Sequence, residues 1–350
     1  MAKIISLFNN KGGVSKTTTT FHLGWMLAEK GKKVLMIDAD SQCNLTGLCL
    51  NLAGIEDIED FYKGSDNNNI KSVLEPVFEG VPKELEAAEC FEIPDRKNLF
   101  LLPGHIAFSE YDVPIGISQE LTGSLKLTQN IPGAFHGMVL LTAEKYEIDI
   151  VLIDMSPSVT ATNANILMQS DYFMVPCSPD YFCNMAINSL IRILPEWDSI
   201  YTRIKKEEIF RNAHYKLPSG KPKFIGTILQ RYRPKNGSPS KSFQTWIDRI
   251  NLNVETNLIP VLKDSNMIAE EYKFTDSIDE LITNDKYNLV YISDFNSLIA
   301  QSQKYNVPVF ALDKDQIEQF GKVLNTHEAN RDNFKAVFNE LAEKILYITE

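Results

Sequence analysis

Short apolar runs alternate along the chain with longer stretches of helical periodicity. Ile4-Ile5-Ser6-Leu7-Phe8 is rich in β-branched residues, is bounded by Asn9-Asn10 and a double glycine, and predicts a buried strand. From Thr17 to Lys30 the residues Phe21, Leu23, Trp25, Met26, Leu27 and Ala28 cover most of a helical circumference, which predicts a helix covered by neighbours; Gly31 supplies its stop. Val34-Leu35-Met36-Ile37 predicts the next strand, and strand, helix, strand in this order is the grammar of a right-handed parallel crossover. The continuous run Ile150 to Ile153 suits a strand covered on both faces, and Tyr172 to Val175 and Phe224 to Leu229 predict two more.

The expected architecture is one α/β domain over residues 1–350, a doubly wound, mostly parallel sheet with helices on both faces. Peripheral insertions are expected at about 56–98 and 272–291. The first is acidic and broken by Gly64-Ser65-Asp66-Asn67-Asn68-Asn69, and reads as peripheral helices and loops. Near the C-terminus, Phe334, Val337, Phe338, Leu341 and Ile345 form an apolar stripe that predicts a helix packed on the sheet.

Charge changes this picture. The 350 residues carry a formal net charge of −11, which argues against indiscriminate binding to polyanions. Residues 201–250, however, hold twelve Lys/Arg against three acids, a net of +9, so the other 300 residues carry −20. No apolar run approaches the roughly 18 residues of a spanning helix, and Met1-Ala2-Lys3 leads directly into a strand, so the chain is expected to stay in the cytoplasm. The five cysteines form no C-x-x-C pair, which argues against a zinc ribbon or iron-sulfur centre, and the five histidines show no ligand spacing.

The candidate chemistry lies in Asn9-Asn10-Lys11-Gly12-Gly13-Val14-Ser15-Lys16-Thr17-Thr18, between a predicted strand and helix. Glycines there let backbone N–H groups curl around phosphate oxygens, and the helix N-terminus adds a positive dipole end. Lys16 would bridge the β- and γ-phosphates, and the Thr17 hydroxyl would bind Mg²⁺. Lys11, Gly12, Gly13, Val14, Ser15, Lys16, Thr17 and Thr18 are therefore the candidate nucleotide site.

Lys-Gly-Gly-Val-x-Lys-Thr-Thr, with its second lysine at Lys11, resembles the deviant Walker A motif of the ParA/MinD family of P-loop ATPases, within which ParA/Soj-type partition ATPases are most similar. The resemblance implies the P-loop NTPase fold, and that Lys11 reaches across a dimer to the partner's ATP. Ser15 stands where most members have glycine. Asp38-Ala39-Asp40-Ser41-Gln42-Cys43-Asn44 resembles the family's D-x-D-P-Q-G-N, with Ser41 and Cys43 replacing proline and glycine. By resemblance Asp40 positions the attacking water, while Asp38 supports the switch and the hydrated Mg²⁺. Asp154, at the end of its apolar run and before Met155-Ser156-Pro157-Ser158, resembles the second Walker aspartate and is implied to hold Mg²⁺ through water. Ser297 to Gln301 with Val307-Pro308-Val309 resembles the family's C-terminal helix and strand.

This resemblance implies a slow, partner-stimulated ATP hydrolase that forms a homodimer on binding ATP and Mg²⁺, binds non-specific DNA and answers to a ParB-like or other activating protein. Cytoplasmic location with nucleoid association follows from that role. Arg231, Arg233, Lys235 and Lys241, just after a predicted strand, are candidate DNA contacts; a solvated basic surface spread over several faces is the competing reading. A MinD-like membrane-cycling ATPase would need a basic amphipathic segment, and residues 331–350 carry −1, so a membrane is not expected as a partner. An ATPase component of a larger regulatory or defence complex stays open. Lys11 argues against a metabolic ligase of the wider P-loop superfamily. With the first strand near Ile4, no N-terminal helix-turn-helix is expected.

Overall fold

The computed structural model describes residues 1–52, 61–62, 68–120, 128–235, 238–275 and 285–350. Its strands are β1 (Lys3–Leu7), β2 (Val34–Ala39), β3 (Phe91–Glu92), β4 (Leu99–Leu102), β5 (Ile150–Met155), β6 (Tyr172–Cys177), β7 (Lys223–Tyr232), β8 (Pro234–Lys235), β9 (Ser238–Pro239) and β10 (Asn288–Ser293). Eight of them form one sheet in the order β10-β7-β6-β1-β5-β2-β4-β3, parallel throughout except at the β3–β4 edge, while β8 and β9 make a separate short hairpin. The doubly wound α/β expectation is borne out.

The apolar runs explain the sheet's centre. Every residue of β2 and β5 is buried, as helices on both faces require. The main helices are α1 (Lys16–Glu29), α2 (Asn44–Leu52), α3 (Ile70–Phe78), α4 (Asp112–Glu120), α5 (Ile131–Tyr146), α6 (Ala161–Met168), α7 (Tyr181–Lys206), α8 (Lys241–Asn253), α9 (Leu298–Tyr305) and α10 (Gly321–Thr349). In α10 the stripe residues Phe334, Phe338, Leu341 and Ile345 are buried, packing the helix against α1 and β10. β1 lies between β5 and β6, so the chain winds to one side of it and later to the other. That reversal opens a crevice at the C-terminal ends of the central strands.

Three expectations need correction. Within 56–98 the expected helix is present as α3, with Ile70, Val73 and Leu74 buried on one face, but Phe91–Glu92 adds an antiparallel edge strand where only helices and loops were expected. The apolar positions at i, i+3 and i+4 outweigh the acidic average; residues 56–60 and 63–67 lie outside the described residues. Within 272–291, Asn288 onward belongs to β10, an edge strand parallel to β7 that buries Leu289, Val290 and Ile292; residues 276–284 lie outside the described set. Finally, Val307-Pro308-Val309 is not a strand. Pro308 has no N–H to give a ladder, the Val309 N–H donates to His22 Nε2 at 3.0 Å, and Val309–Ala311 closes as a 3₁₀ turn.

Candidate nucleotide site

The loop between β1 and α1 enters the switch-point crevice. Asn9 fixes its start: Nδ2 donates to the Pro176 carbonyl at 2.8 Å, and Oδ1 accepts from the Lys11 N–H at 2.9 Å. Gly13 is left-handed at φ +71°, which a glycine adopts without steric cost. Ser15 is left-handed too, at φ +58°, and so is Cys43 at φ +53°. Both stand where the family pattern has glycine, and both keep the glycine conformation with a side chain attached.

Around this loop lies a cavity of about 550 Å³ lined by loop residues Gly12 to Thr18, together with Asp40, Gln42, Asn44, Leu48, Pro157, Arg231 and Gln303. The buried Lys16 turns its Nζ back to the Asn9 carbonyl at 3.2 Å. Burial lowers the pKa of Lys16, and the neighbouring Asp154 and Asp40 charges oppose that effect.

Asp38 and Asp154 are register partners on adjacent strands. Asp38 has its oxygens occupied: Oδ2 accepts from the Thr46 N–H at 2.8 Å and the Thr46 hydroxyl at 2.6 Å, and Oδ1 from the Asp40 N–H at 3.2 Å. It therefore ties β2 to the first turn of α2. Burial, against those hydrogen bonds, pushes Asp38 up to about 6.

Asp154 is different. Both carboxylate oxygens are buried without a hydrogen-bond partner. Burial first, then the Asp38 charge, pushes it up to about 8, against the pull of Thr17 and Lys16. An orphaned buried carboxylate beside a threonine hydroxyl fits a hard cation, so Thr17 and Asp154 are residues that would hold Mg²⁺, whose charge would offset the burial. Asp40, after the end of β2, lines the cavity and accepts from the Gln42 N–H through Oδ1 at 3.0 Å.

Several functional contacts were not predicted. Lys11 Nζ pairs with Asp180 Oδ2 at 2.5 Å, while Asp180 Oδ1 caps α7 by accepting from the Cys183 N–H at 2.9 Å. The helix-cap role of Asp180 has a sequence signal, an aspartate before a helix; its pairing with Lys11 has none. Gln303, from α9, reaches the cavity from almost 300 residues away in sequence.

The four DNA candidates gather at the same edge. Arg231 donates from Nη1 to the Gly13 carbonyl. Arg233 is exposed and pairs with Asp294 at 3.5 Å. The backbone of Lys235 is in β8, and its side chain lies outside the described residues. Lys241 is exposed and opens α8. Lys205, Arg211 and Lys216 line one cavity, and Lys205 donates to the Gly220 carbonyl just before β7, whose first residue is Lys223; that end of the strand is about 30 Å from the nucleotide edge. Much of the basic block is thus divided between the two ends of β7.

A phosphate loop at the switch point of a parallel sheet, flanked by switch carboxylates and an orphaned strand-end aspartate, defines the class of P-loop ATPases of the ParA/MinD type. The chain belongs to the AAA domain family, whose model AAA_31 matches residues 2–207. Among its relatives, the sporulation initiation inhibitor protein Soj of Bacillus subtilis is 28% identical over 192 residues, covering 55% of this chain and 64% of Soj, so the match spans less than two thirds of that relative. Apo McdA of Cyanothece shares the fold with a TM-score of 0.60 at 18% identity, over 99% of this chain and 100% of that one. The pNOB8 ParA solved with nonspecific DNA shares it with a TM-score of 0.54 at 19% identity, over 100% and 99%.

Proposed function

We propose that this chain is a ParA-like ATPase that binds ATP with Mg²⁺, pairs with a second copy across the nucleotide, engages DNA without sequence preference, and resets on hydrolysis triggered by a ParB-like or other partner. The observation that carries the reading is one cavity bringing together Lys16, Thr17 and Asp40, with Lys11 poised on an adjacent ion pair. In this reading Lys16 and the loop amides hold the phosphates, Asp40 orients the attacking water, and Thr17 and Asp154 hold Mg²⁺, which supplies charge neutralisation at the phosphates. Pairing is supported by exposed Tyr181, Phe182 and Met185 at the start of α7, next to Lys11–Asp180, and by exposed Val159 beyond Asp154. Apolar side chains in that position suit burial by a second copy. DNA binding is supported by the nucleotide-edge location of Arg233 and Lys241, and by the DNA complex of pNOB8 ParA.

The test is a gel shift of non-specific duplex DNA with ATP, ADP or no nucleotide, run beside liposome flotation. The expected result is an ATP-dependent shift without flotation, abolished in Lys16→Ala. Flotation without a shift would favour membrane cycling, and ATP-dependent pairing that survives in Lys16→Ala would refute the assignment of the loop.

A further inference from the structure

Arg231 belongs by sequence to the basic block, and its geometry also aims it at the phosphate loop. Its backbone is left-handed at φ +67°, a conformation a residue with a Cβ holds only where its surroundings impose it. It is the extra residue of a β-bulge: Gln230 pairs with Ile292 and Tyr232 with Ser293, so Arg231 is skipped in the β7–β10 ladder. A bulge re-aims the side chain it carries. Here the guanidinium arrives over the phosphate loop, donating to the Gly13 carbonyl and standing 3.7 Å from where a Cβ on Gly13 would lie. The preceding residue reinforces the contact, since Gln230 Nε2 donates to the Val14 carbonyl at 2.6 Å and its Oε1 accepts from the Thr19 hydroxyl at 3.0 Å. The end of β7 thus holds two consecutive loop carbonyls.

A guanidinium has five N–H donors, and the Gly13 contact uses one. Arg231 has no carboxylate partner among the described ion pairs, the nearby Asp294 being taken by Arg233. It also lines the same cavity as Lys16 and Asp40. A forked cation, held at a phosphate loop and not neutralised by an acid, is suited to bidentate phosphate recognition. We propose that Arg231 contacts the phosphates of the nucleotide bound in its own chain, and that it is not part of the DNA-binding surface. This rests on the nucleotide reading of the cavity.

The test is titration of wild type, Arg231→Gly and Arg231→Lys with ATP and with inorganic tripolyphosphate, both with Mg²⁺, followed by a duplex-DNA shift at saturating ATP. Glycine removes the guanidinium while accepting the left-handed backbone, so folding is preserved. Arg231→Gly should weaken ATP and tripolyphosphate alike by about 10- to 100-fold, the range of a lost charge-assisted hydrogen bond, with lysine recovering part of the loss and the DNA shift equal to wild type. Affinities within twofold of wild type would overturn the proposal. So would a loss confined to ATP, which would place the contact at the base or ribose, or a lost DNA shift with normal nucleotide affinity. Wild type binding neither ATP nor tripolyphosphate would overturn the nucleotide reading itself.

Discussion

His22, on the helix that follows the phosphate loop, should make the fold sensitive to acid. Its Nδ1–H donates to the Thr18 carbonyl at 2.8 Å and its Nε2 accepts from the Val309 N–H at 3.0 Å, an arrangement open only to the neutral ring. The ring packs against Phe295 and Phe338, with centroids at 5.2 and 5.0 Å, and is fully buried. Burial lowers its pKa to about 4, only partly opposed by the Thr18 bond. The unfolded chain takes up a proton near the ordinary 6.5, while the folded chain refuses it down to about 4, so stability falls as pH drops through that window and the contribution levels off below it. At about 1.4 kcal/mol per pH unit the loss amounts to about 3 kcal/mol, a large share of a typical total of about 5–15 kcal/mol. Because carboxylates titrate in the same range, the informative measurement is the stability gap between wild type and non-titrating His22→Gln, by urea unfolding from pH 7 to pH 4. Wild type should lose about 3 kcal/mol relative to the variant over that range. A gap that does not change with pH would refute the reasoning.

Ser15→Gly should stabilise the protein by up to about 1 kcal/mol by relieving a left-handed serine, partly offset by the freer unfolded chain, and a lower urea midpoint would count against it. Asp40→Ala should keep ATP binding and pairing but lose turnover by about 100-fold or more in phosphate release; wild-type hydrolysis would assign water positioning to another group. Gly133→Ala puts a methyl 2.0 Å from the Tyr215 carbonyl oxygen, and because Tyr215 OH anchors the Leu85 N–H, the cost should be about 1–3 kcal/mol, read as a lowered melting temperature. An unchanged melting temperature would mean that the segment around Tyr215 yields freely.

The candidate phosphate loop is legible because a polyphosphate cradle needs consecutive residues, and Lys11 to Thr18 form one such stretch. Asp38, Asp40 and Asp154 stand out through the family resemblance of the segments that carry them and their place after predicted strands. What one stretch cannot encode is who meets whom across the fold, so the Lys11–Asp180 pair, Gln303 at the cavity and Arg231 on Gly13 were hidden. The edge strands were hidden for another reason. Phe91–Glu92 is only two residues long, and the Leu289 to Ile292 run follows polar sequence that masks it.

The length of β7 sets how strongly salt should act on DNA binding. With much of the basic block divided between its two ends, a duplex lying at the nucleotide edge meets only part of the charge that residues 201–250 contain. If Arg233, Lys235 and Lys241 each neutralise one phosphate in both copies of a pair, six counterions are released, and log K should fall with log[salt] with a slope of about −5. All twelve bases of the block acting in both copies would give a slope of about −20. A shallow slope would mean that DNA is gripped lightly enough to be released when the pair comes apart, the bases at the far end of β7 being engaged within the chain, as Lys221 is with Asp198.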